Sequence, residues 1–273
     1  MRTRRSKAIL TAAVATVAAL TLLTGCMRVT WLPGDGDIEV FGSAGLETRQ
    51  FDFTSFTKVE AGQDFEVDLI RADTHKVSIT MNENLFEYLD ASQRGELLTI
   101  RLMPGYRYQD TTLRATITLP DLRDLRLSGA ARADVTGFRS GHAMRFEASG
   151  ASALHLNNIE ADDTTVRLSG ASRADGTLKM ADGDIRVSGV SNVELYGSAE
   201  DLSLNASGAS TAWLADFRVR TASIEASGCS SVNLEVSDRL DVDISGLSRL
   251  TYRGSPALGS VHISSGSTLR QES

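Results

Sequence analysis

A Ser-Gly dipeptide recurs at nearly even spacing from residue 128 onward: Ser128-Gly129, Ser149-Gly150, Ser169-Gly170, Ser188-Gly189, Ser207-Gly208, Ser227-Gly228 and Ser245-Gly246. Successive glycines are 21, 20, 19, 19, 20 and 18 residues apart, and a degenerate eighth copy follows at Ser265-Gly266-Ser267. A period with so little scatter indicates one structural unit repeated along an axis. Each unit covers the apolar face of the next.

Both flanks of each glycine alternate between apolar and polar residues. Two positions before the glycines stand Leu127, Ala148, Leu168, Val187, Ala206, Ala226 and Ile244. Four positions after them stand Ala133, Leu154, Ala174, Val193, Ala212, Val232 and Leu250. A period of two is typical of strands with one buried face. We therefore predict that each repeat is a strand, a Ser-Gly-X-Ser corner, a second strand and a turn such as Asp182-Gly183-Asp184.

The repeat length selects among the known repeat architectures. Propeller blades need about 40 to 50 residues, and the alternation together with a glycine in every period excludes helical repeats. We therefore predict an all-β chain that winds as a single-stranded parallel β-helix, a β-solenoid. Its coils of about 20 residues stack about 4.8 Å apart. The many alanines at inward positions predict a narrow core.

The corners are predicted to carry structural rather than catalytic residues. The glycine supplies a positive φ or a close approach between coils, and the two serine columns that flank it satisfy backbone groups of the turn. A nucleophilic serine is disfavoured because neither G-x-S-x-G nor S-x-x-K occurs in the chain. Cys229 follows a repeat glycine, where other copies have Ala, Val or Leu, and is expected to be a small buried residue without a disulfide partner.

The first 26 residues predict export and lipidation. Arg2, Arg4, Arg5 and Lys7 precede an apolar or small stretch over 8–23, which is typical of a secretory signal. This stretch of about 16 residues is shorter than the roughly 20 that span a bilayer. The tetrapeptide Leu23-Thr24-Gly25-Cys26 resembles the lipobox of bacterial lipoproteins. We therefore predict a signal peptide at 1–25, lipidation of Cys26, and a protein anchored in the bacterial cell envelope, at the outer membrane or cell surface.

Charge limits the partners of the mature chain. Removal of residues 1–25 takes away four cations and no acidic residue, so the formal charge changes from −7 to −11. An acidic protein is a poor match for nucleic acid and for anionic lipid headgroups, and no nucleic-acid partner is predicted. Beyond the membrane itself, the partner is expected to be an unidentified envelope protein or polysaccharide, and a homo-oligomer stays open.

The earlier half of the chain has the same character with looser spacing. Residues 56–69 are predicted to form two alternating strands around a compressed corner near Gly62, and further strands are predicted over 76–81, 97–103 and 113–119, with inserted pieces between them. These strands are expected to form the atypical first coils of a solenoid domain over 51–273. Residues 26–50, which are rich in glycine, are expected to be a lipidated tether and end cap.

Several motifs resemble one known family. The segments are Phe56-Thr57-Lys58-Val59-Glu60, Asn82-Glu83-Asn84-Leu85, Gly95-Glu96-Leu97-Leu98-Thr99-Ile100, Ile117-Thr118-Leu119-Pro120-Asp121-Leu122 and the serial Ser-Gly-Ala-Ser corners. In this order, over about residues 40–270, they resemble the head-GIN domain proteins, a family of auto-transporter adhesins. The resemblance implies a right-handed β-solenoid on an exported, often lipid-anchored protein, with no catalytic residues to carry over. It also implies an adhesin-like role.

An enzymatic or sugar-binding alternative rests on one set of outward residues. The fifth residue after successive glycines is outward by alternation, and we call the following five the outward column: Asp134, His155, Asp175, Glu194 and Trp213. Stacking would bring two of its carboxylates one coil apart, a separation that overlaps the spacing of glycosidase acid pairs. The competing interpretation is a solvated face whose alternating charges confer solubility.

No cofactor or metal is predicted from the sequence. The four histidines, His75, His142, His155 and His262, have no metal-ligand spacing. The sequence thus predicts a lipid-anchored, non-catalytic interaction or structural module of the cell envelope. A carbohydrate-active enzyme or sugar-binding protein that uses the outward column is the alternative.

Overall fold

The computed structural model describes residues 38–264 and 266–272. The predicted signal peptide, Cys26 and the first part of the predicted tether lie outside these residues. The described chain is nearly all β-strand and forms a β-solenoid of about seven turns. The fold class predicted from the Ser-Gly repeat is therefore confirmed.

The regular coils are built from twelve strands. Their bounds are β10 Asp124–Leu127, β11 Arg132–Thr136, β12 Arg139–Ser140, β13 Met144–Ala148, β14 Ala153–Leu168, β15 Arg173–Val187, β16 Asn192–Ala206, β17 Thr211–Ala226, β18 Ser231–Ile244, β19 Arg249–Arg253, β20 Ala257–Ile263 and β21 Thr268–Gln271. Each of these strands pairs in parallel with its equivalent in the adjoining coil. The solenoid core is the set of side chains that these strands turn inward.

Equivalent inward residues stack directly above one another, as the repeat predicted. One row of paired residues, continuous from β14 to β19, is Leu154, Ala174, Val193, Ala212, Val232 and Leu250. Every member of this row is buried. Because alanine alternates with larger aliphatic residues, the row interdigitates within a narrow interior.

The predicted second turn is wrong for the coils of β14 to β18, although the strands are interrupted there in the first regular coil, at 137–138 and 141–143, and in the last, at 254–256. Asp182-Gly183-Asp184 lies inside β15, and β14 to β18 are continuous strands of 14 to 16 residues. The chain bends within these strands at register shifts, such as the one between Leu156 and Ile159, and at Gly176 with φ +130°. Because bends in adjacent coils lie over one another, the parallel hydrogen bonds continue around the corner and no separate turn forms.

The Ser-Gly corner has the geometry expected from its sequence. All seven repeat glycines have φ between +73° and +79°. From Gly150 onward, the amide nitrogen after each corner glycine donates to the carbonyl of the preceding corner glycine, as from Ala171 to Gly150 at 2.7 Å. In the second serine column the Ser172 hydroxyl donates to the Ser169 carbonyl at 2.8 Å. The serine columns therefore satisfy backbone groups, as predicted.

The residue after each corner glycine faces solvent, so the expectation of a buried Cys229 is wrong. Cys229 is exposed, and the equivalent Val190 and Leu247 each expose 70% of their surface. The left-handed glycine turns the next residue out of the coil, and the chain returns inward at the buried second serine, such as Ser230. The apolar character of this position therefore does not mark the core.

The N-terminal part combines further coils with antiparallel additions. It contains β1 Ile38–Phe41, β2 Leu46–Phe51, β3 Lys58–Ala61, β4 Glu66–Arg71, β5 Lys76–Asn82, a 3₁₀ helix Glu83–Tyr88, β6 Leu89–Arg94, β7 Leu97–Leu102, β8 Tyr106–Gln109 and β9 Leu113–Leu119. Strands β7, β3 and β10 pair in parallel, as do β9, β4 and β11, which continues the solenoid.

Three pairs in this part, β2 with β5, β5 with β9 and β6 with β7, are antiparallel, against the expectation of a wholly parallel helix. The short turn at Gly95, with φ +59°, reverses the chain and obliges β6 to lie antiparallel to β7. Strand pairing begins at Ile38, inside the range expected to be tether and end cap.

Candidate functional site

The outward column is one continuous row across the solenoid. Parallel register pairs Asp134 with His155, His155 with Asp175, Asp175 with Glu194, and Glu194 with Trp213. The stacking of these residues, predicted from their common offset after the glycine, is confirmed. The row also extends to Asp68 of β4, which pairs with Asp134 and which the irregular spacing of the early coils concealed.

Ion pairs connect the middle of the outward column. His155 Nδ1 lies 2.6 Å from Asp175 Oδ2. The guanidinium of Arg173 donates to Asp175 Oδ1 at 3.2 Å and lies 3.5 Å from Glu194 Oε2. All four side chains are between 30% and 55% exposed. Exposed pairs of this kind contribute about 0 to 1 kcal/mol each, so the network balances charge more than it stabilises the fold.

This arrangement does not resemble a glycosidase acid pair. Such enzymes place two carboxyl groups on opposite sides of a bound sugar, with space for the reacting bond between them. Here Arg173 bridges Asp175 and Glu194, and the two carboxylates belong to neighbouring strands of one sheet face. The geometry favours a charge-balanced surface over a catalytic centre.

The far end of the outward column is aromatic. Trp213 is 47% exposed and Tyr196 is 43% exposed. The Tyr196 hydroxyl donates to Glu194 Oε1 at 2.8 Å, and this hydrogen bond, together with the charge of Glu194, raises the pKa of the phenol. We call Glu194, Tyr196 and Trp213 the aromatic end. An exposed indole and phenol beside a carboxylate present apolar ring faces and a hydrogen-bond acceptor to one ligand.

Tyr196 was missed by the sequence analysis, although a signal for it exists. It is the seventh residue after Gly189, and the alternation that makes the fifth residue outward makes the seventh outward as well. Other copies have Thr136, Asn157, Thr177 and Glu235 at this offset, so the tyrosine is particular to one coil.

Other candidate chemistry is limited in the part of the chain that the structure describes. Within residues 38–264 and 266–272, no group of three or more His, Cys, Asp or Glu side chains is arranged to hold a metal ion. His142 Nε2 lies 2.8 Å from Asp121, in a separate ion pair. No helix in these ranges has the length and hydropathy of a membrane span. The predicted lipidation site, Cys26, lies outside them.

Comparison with known proteins gives a family and a fold. The family described as "Putative auto-transporter adhesin, head GIN domain" matches residues 55–256. No curated protein matches the chain by sequence. Solved structures do resemble it: a "putative adhesin" from Parabacteroides merdae has a TM-score of 0.80 at 18% identity, covering 86% of this chain and 100% of its own.

Two proteins from Parabacteroides distasonis are similar to the same extent. One, described as a "putative lipid binding protein", has a TM-score of 0.80 and the other, a "putative adhesin", has 0.78. Each is 16% identical and covers 86% of this chain and 100% of its own. At this level of identity the likeness supports the shared solenoid fold and does not transfer a ligand.

Proposed function

This chain belongs to the head GIN domain family. We propose that it is a lipid-anchored, adhesin-like module of the bacterial cell envelope that binds its partner and catalyses no reaction on it. The charge-balanced outward column carries this proposal. Two of its carboxylates, Asp175 and Glu194, pair with Arg173 and His155 on an open strand face. Such a face suits contact with a large partner better than it suits the enclosure of a substrate.

The anchor part of the proposal rests on the N-terminal sequence. A cationic start, an apolar stretch and the order Leu23-Thr24-Gly25-Cys26 match the requirements for export and lipidation. A single acyl chain binds membranes only marginally, whereas several chains at about 0.8 kcal/mol per buried methylene anchor a protein stably. The triacylated Cys26 of a mature lipoprotein would therefore hold the solenoid at a membrane surface.

Membrane fractionation tests the anchor. The wild-type protein should stay with membranes through a high-salt wash, and Cys26→Ser should be released or keep its signal peptide. Cys229→Ser is the matched control, because it removes the other cysteine of the chain and should fractionate like the wild type. Mass spectrometry that finds a mature wild-type N-terminus without acyl groups would overturn the anchor.

The aromatic end supports sugar recognition as a second candidate function. Trp213 and Tyr196 are exposed beside Glu194, which accepts a hydrogen bond from the tyrosine. The C–H face of a sugar ring packs against exposed aromatic rings, and its hydroxyls donate to carboxylates. This combination would give an adhesin-like module a polysaccharide partner.

A polysaccharide panel tests both functions. For any polysaccharide that the wild type retains, Trp213→Ala should weaken binding by about tenfold, or about 1.4 kcal/mol. Asn233→Ala, at the equivalent position one coil further on, should leave binding unchanged. No cleavage should be seen with the wild type. Cleavage that disappears in the double variant Asp175→Asn, Glu194→Gln would overturn the non-catalytic assignment.

A further inference from the structure

Large apolar side chains are exposed at the N-terminal end of the solenoid. We call this surface the N-terminal patch, and its members are Ile38, Phe41, Leu46, Met103 and Tyr106. Ile38 is 63% exposed, and Phe41 and Leu46 are each 52% exposed. Clustered exposed apolar residues of this size mark an interaction surface more often than scattered single ones do.

Local structure holds the patch in a fixed shape. Strands β1 and β8 form a separate two-stranded parallel sheet that pairs Ile38 with Tyr106. The Tyr106 ring meets the Tyr88 ring edge-on, with centroids 4.9 Å apart, and lies 6.0 Å from the Tyr108 ring. The Tyr108 hydroxyl donates to the Met103 carbonyl at 2.9 Å, which ties β8 to the end of β7.

Polar side chains of the β1–β8 sheet form a hydrogen bond and an ion pair with one another. Glu39 accepts a hydrogen bond from Gln109 at 3.0 Å and lies 3.9 Å from Arg107. Burial raises the pKa of Tyr108 to about 12, which shows that its phenol is partly removed from water. A neutral set of phenol rings with aliphatic neighbours is the composition found at the membrane–water interface.

The chain upstream of the patch indicates which partner lies closest. Ile38, the first described residue, is only twelve residues after Cys26. Twelve residues span at most about 40 Å even when fully extended. Acyl chains on Cys26 would therefore hold the N-terminal patch within reach of the bilayer surface. A bilayer would cover Ile38 and Tyr106, which the strand register places side by side, at once.

The opposite end of the solenoid lies out of reach of that surface. Counted from β7, which leads into the patch, ten strands stack in one row as far as β20. At about 4.8 Å between strands, β20 lies about 43 Å from β7. The two ends can therefore be distinguished by their distance from lipid.

We propose that the N-terminal patch docks onto the lipid bilayer, so that the solenoid stands on the membrane with its later coils directed away from it. The inference rests on the proposed lipidation of Cys26. It adds to that anchor a second contact, made by side chains of the folded domain. The docked orientation presents the outward column along the height of the upright solenoid.

Quenching of tryptophan fluorescence by brominated phosphatidylcholine tests the orientation. The reporter is a single tryptophan, introduced as Ile38→Trp at the patch or as Val261→Trp on β20, in a full-length lipidated protein that carries Trp31→Phe and Trp213→Phe. Each variant is reconstituted into vesicles and recovered by flotation. Far-UV circular dichroism checks that both retain the strand content of the parent protein.

The Ile38→Trp reporter should lose most of its emission in brominated vesicles, and the Val261→Trp reporter should keep the emission measured in unbrominated ones. Flotation without quenching of Ile38→Trp would leave the anchor standing and overturn the docking. That result would mean that another chain segment or a second copy covers the patch. Equal quenching at both ends would also overturn it. Failure to float would overturn the anchor and the docking together.

Discussion

Replacement of a corner glycine is the sharpest test of the packing between coils. Gly170 has φ +77°, and a Cβ added there would lie 2.5 Å from the carbonyl oxygen of Gly150 and 3.1 Å from its nitrogen. Both atoms are backbone, so no side chain can move aside to relieve the contact. Gly170→Ala must therefore force two coils apart at this corner.

The expected loss of stability in Gly170→Ala has two parts. A left-handed conformation costs a residue with a Cβ about 1 to 2 kcal/mol. Separation of the coils also weakens the hydrogen bonds from Ala171 to Gly150 and from Val190 to Gly170, both 2.7 Å long. At about 1 kcal/mol net for each bond, Gly170→Ala should lower the free energy of unfolding by about 3 to 4 kcal/mol.

Gly137→Ala separates the two parts. Gly137 has φ +79°, but a Cβ there would meet no atom within 4 Å. For this variant the free energy of unfolding should therefore fall only by the cost of the left-handed conformation, about 1 to 2 kcal/mol. Unfolding in urea, followed by far-UV circular dichroism, should show a gap of about 2 kcal/mol between the variants, or about 4 to 8 °C in Tm. Equal losses would refute the argument that close approach of the coils makes glycine necessary at Gly170.

Three further outcomes follow from particular contacts. Ser210 is buried, and its hydroxyl donates to the Val187 carbonyl at 3.3 Å. Ser210→Ala should therefore lower the free energy of unfolding, measured in urea, by about 0.5 to 1.5 kcal/mol. Ser203 is exposed, and Ser203→Ala should leave this free energy almost unchanged. Tyr108 should ionise near pH 12. Because its pKa is raised in the folded state, the stability it confers is complete below about pH 10 and is lost as the pH rises towards 12. In a spectroscopic titration Tyr108→Phe should remove one phenol that ionises late, and an unchanged titration curve would contradict this. Cys229 should react with a maleimide in the native protein as fast as a small-molecule thiol does, and protection of this cysteine until the protein unfolds would contradict its exposed position.

The regular coils were predictable because each of their determinants is local and repeated. The positive φ of Gly170 recurs in all seven copies and the buried hydroxyl of Ser172 in six of them, so the periodic sequence alone defines the corner. Their stacking follows, since equivalent residues of identical units can only lie above one another. The row from Asp134 to Trp213 was predicted on the same basis.

Two predictions were wrong because they were based on residue type and not on backbone geometry. Cys229 was expected to be buried because cysteine and its equivalents are apolar, yet the left-handed glycine before it directs the side chain outward. Asp182-Gly183-Asp184 has the composition of a turn, yet hydrogen bonds to the coils on both sides keep it extended. In both cases the contact with neighbouring coils overrides the local preference.

The N-terminal coils were the least predictable part of the fold. Their insertions break the period, so nothing in the sequence fixes the direction in which β5 pairs with β2 and β9. The pairing of Ile38 with Tyr106 joins residues far apart in sequence that have no repeat in common. Long-range pairing of this kind is decided by the packing of the whole end, which a single sequence does not reveal.

The uniform stacking of the corner glycines also makes the solenoid an adjustable spacer. Each coil touches only the coils on either side of it, and every corner offers the same backbone carbonyl to the next one. Loss or gain of one complete repeat, such as residues 150–169, would rejoin a serine to a corner glycine and restore the same contacts. Repeats lost or gained in this way would change the distance between the N-terminal patch and the aromatic end in steps of about 4.8 Å, without a new fold.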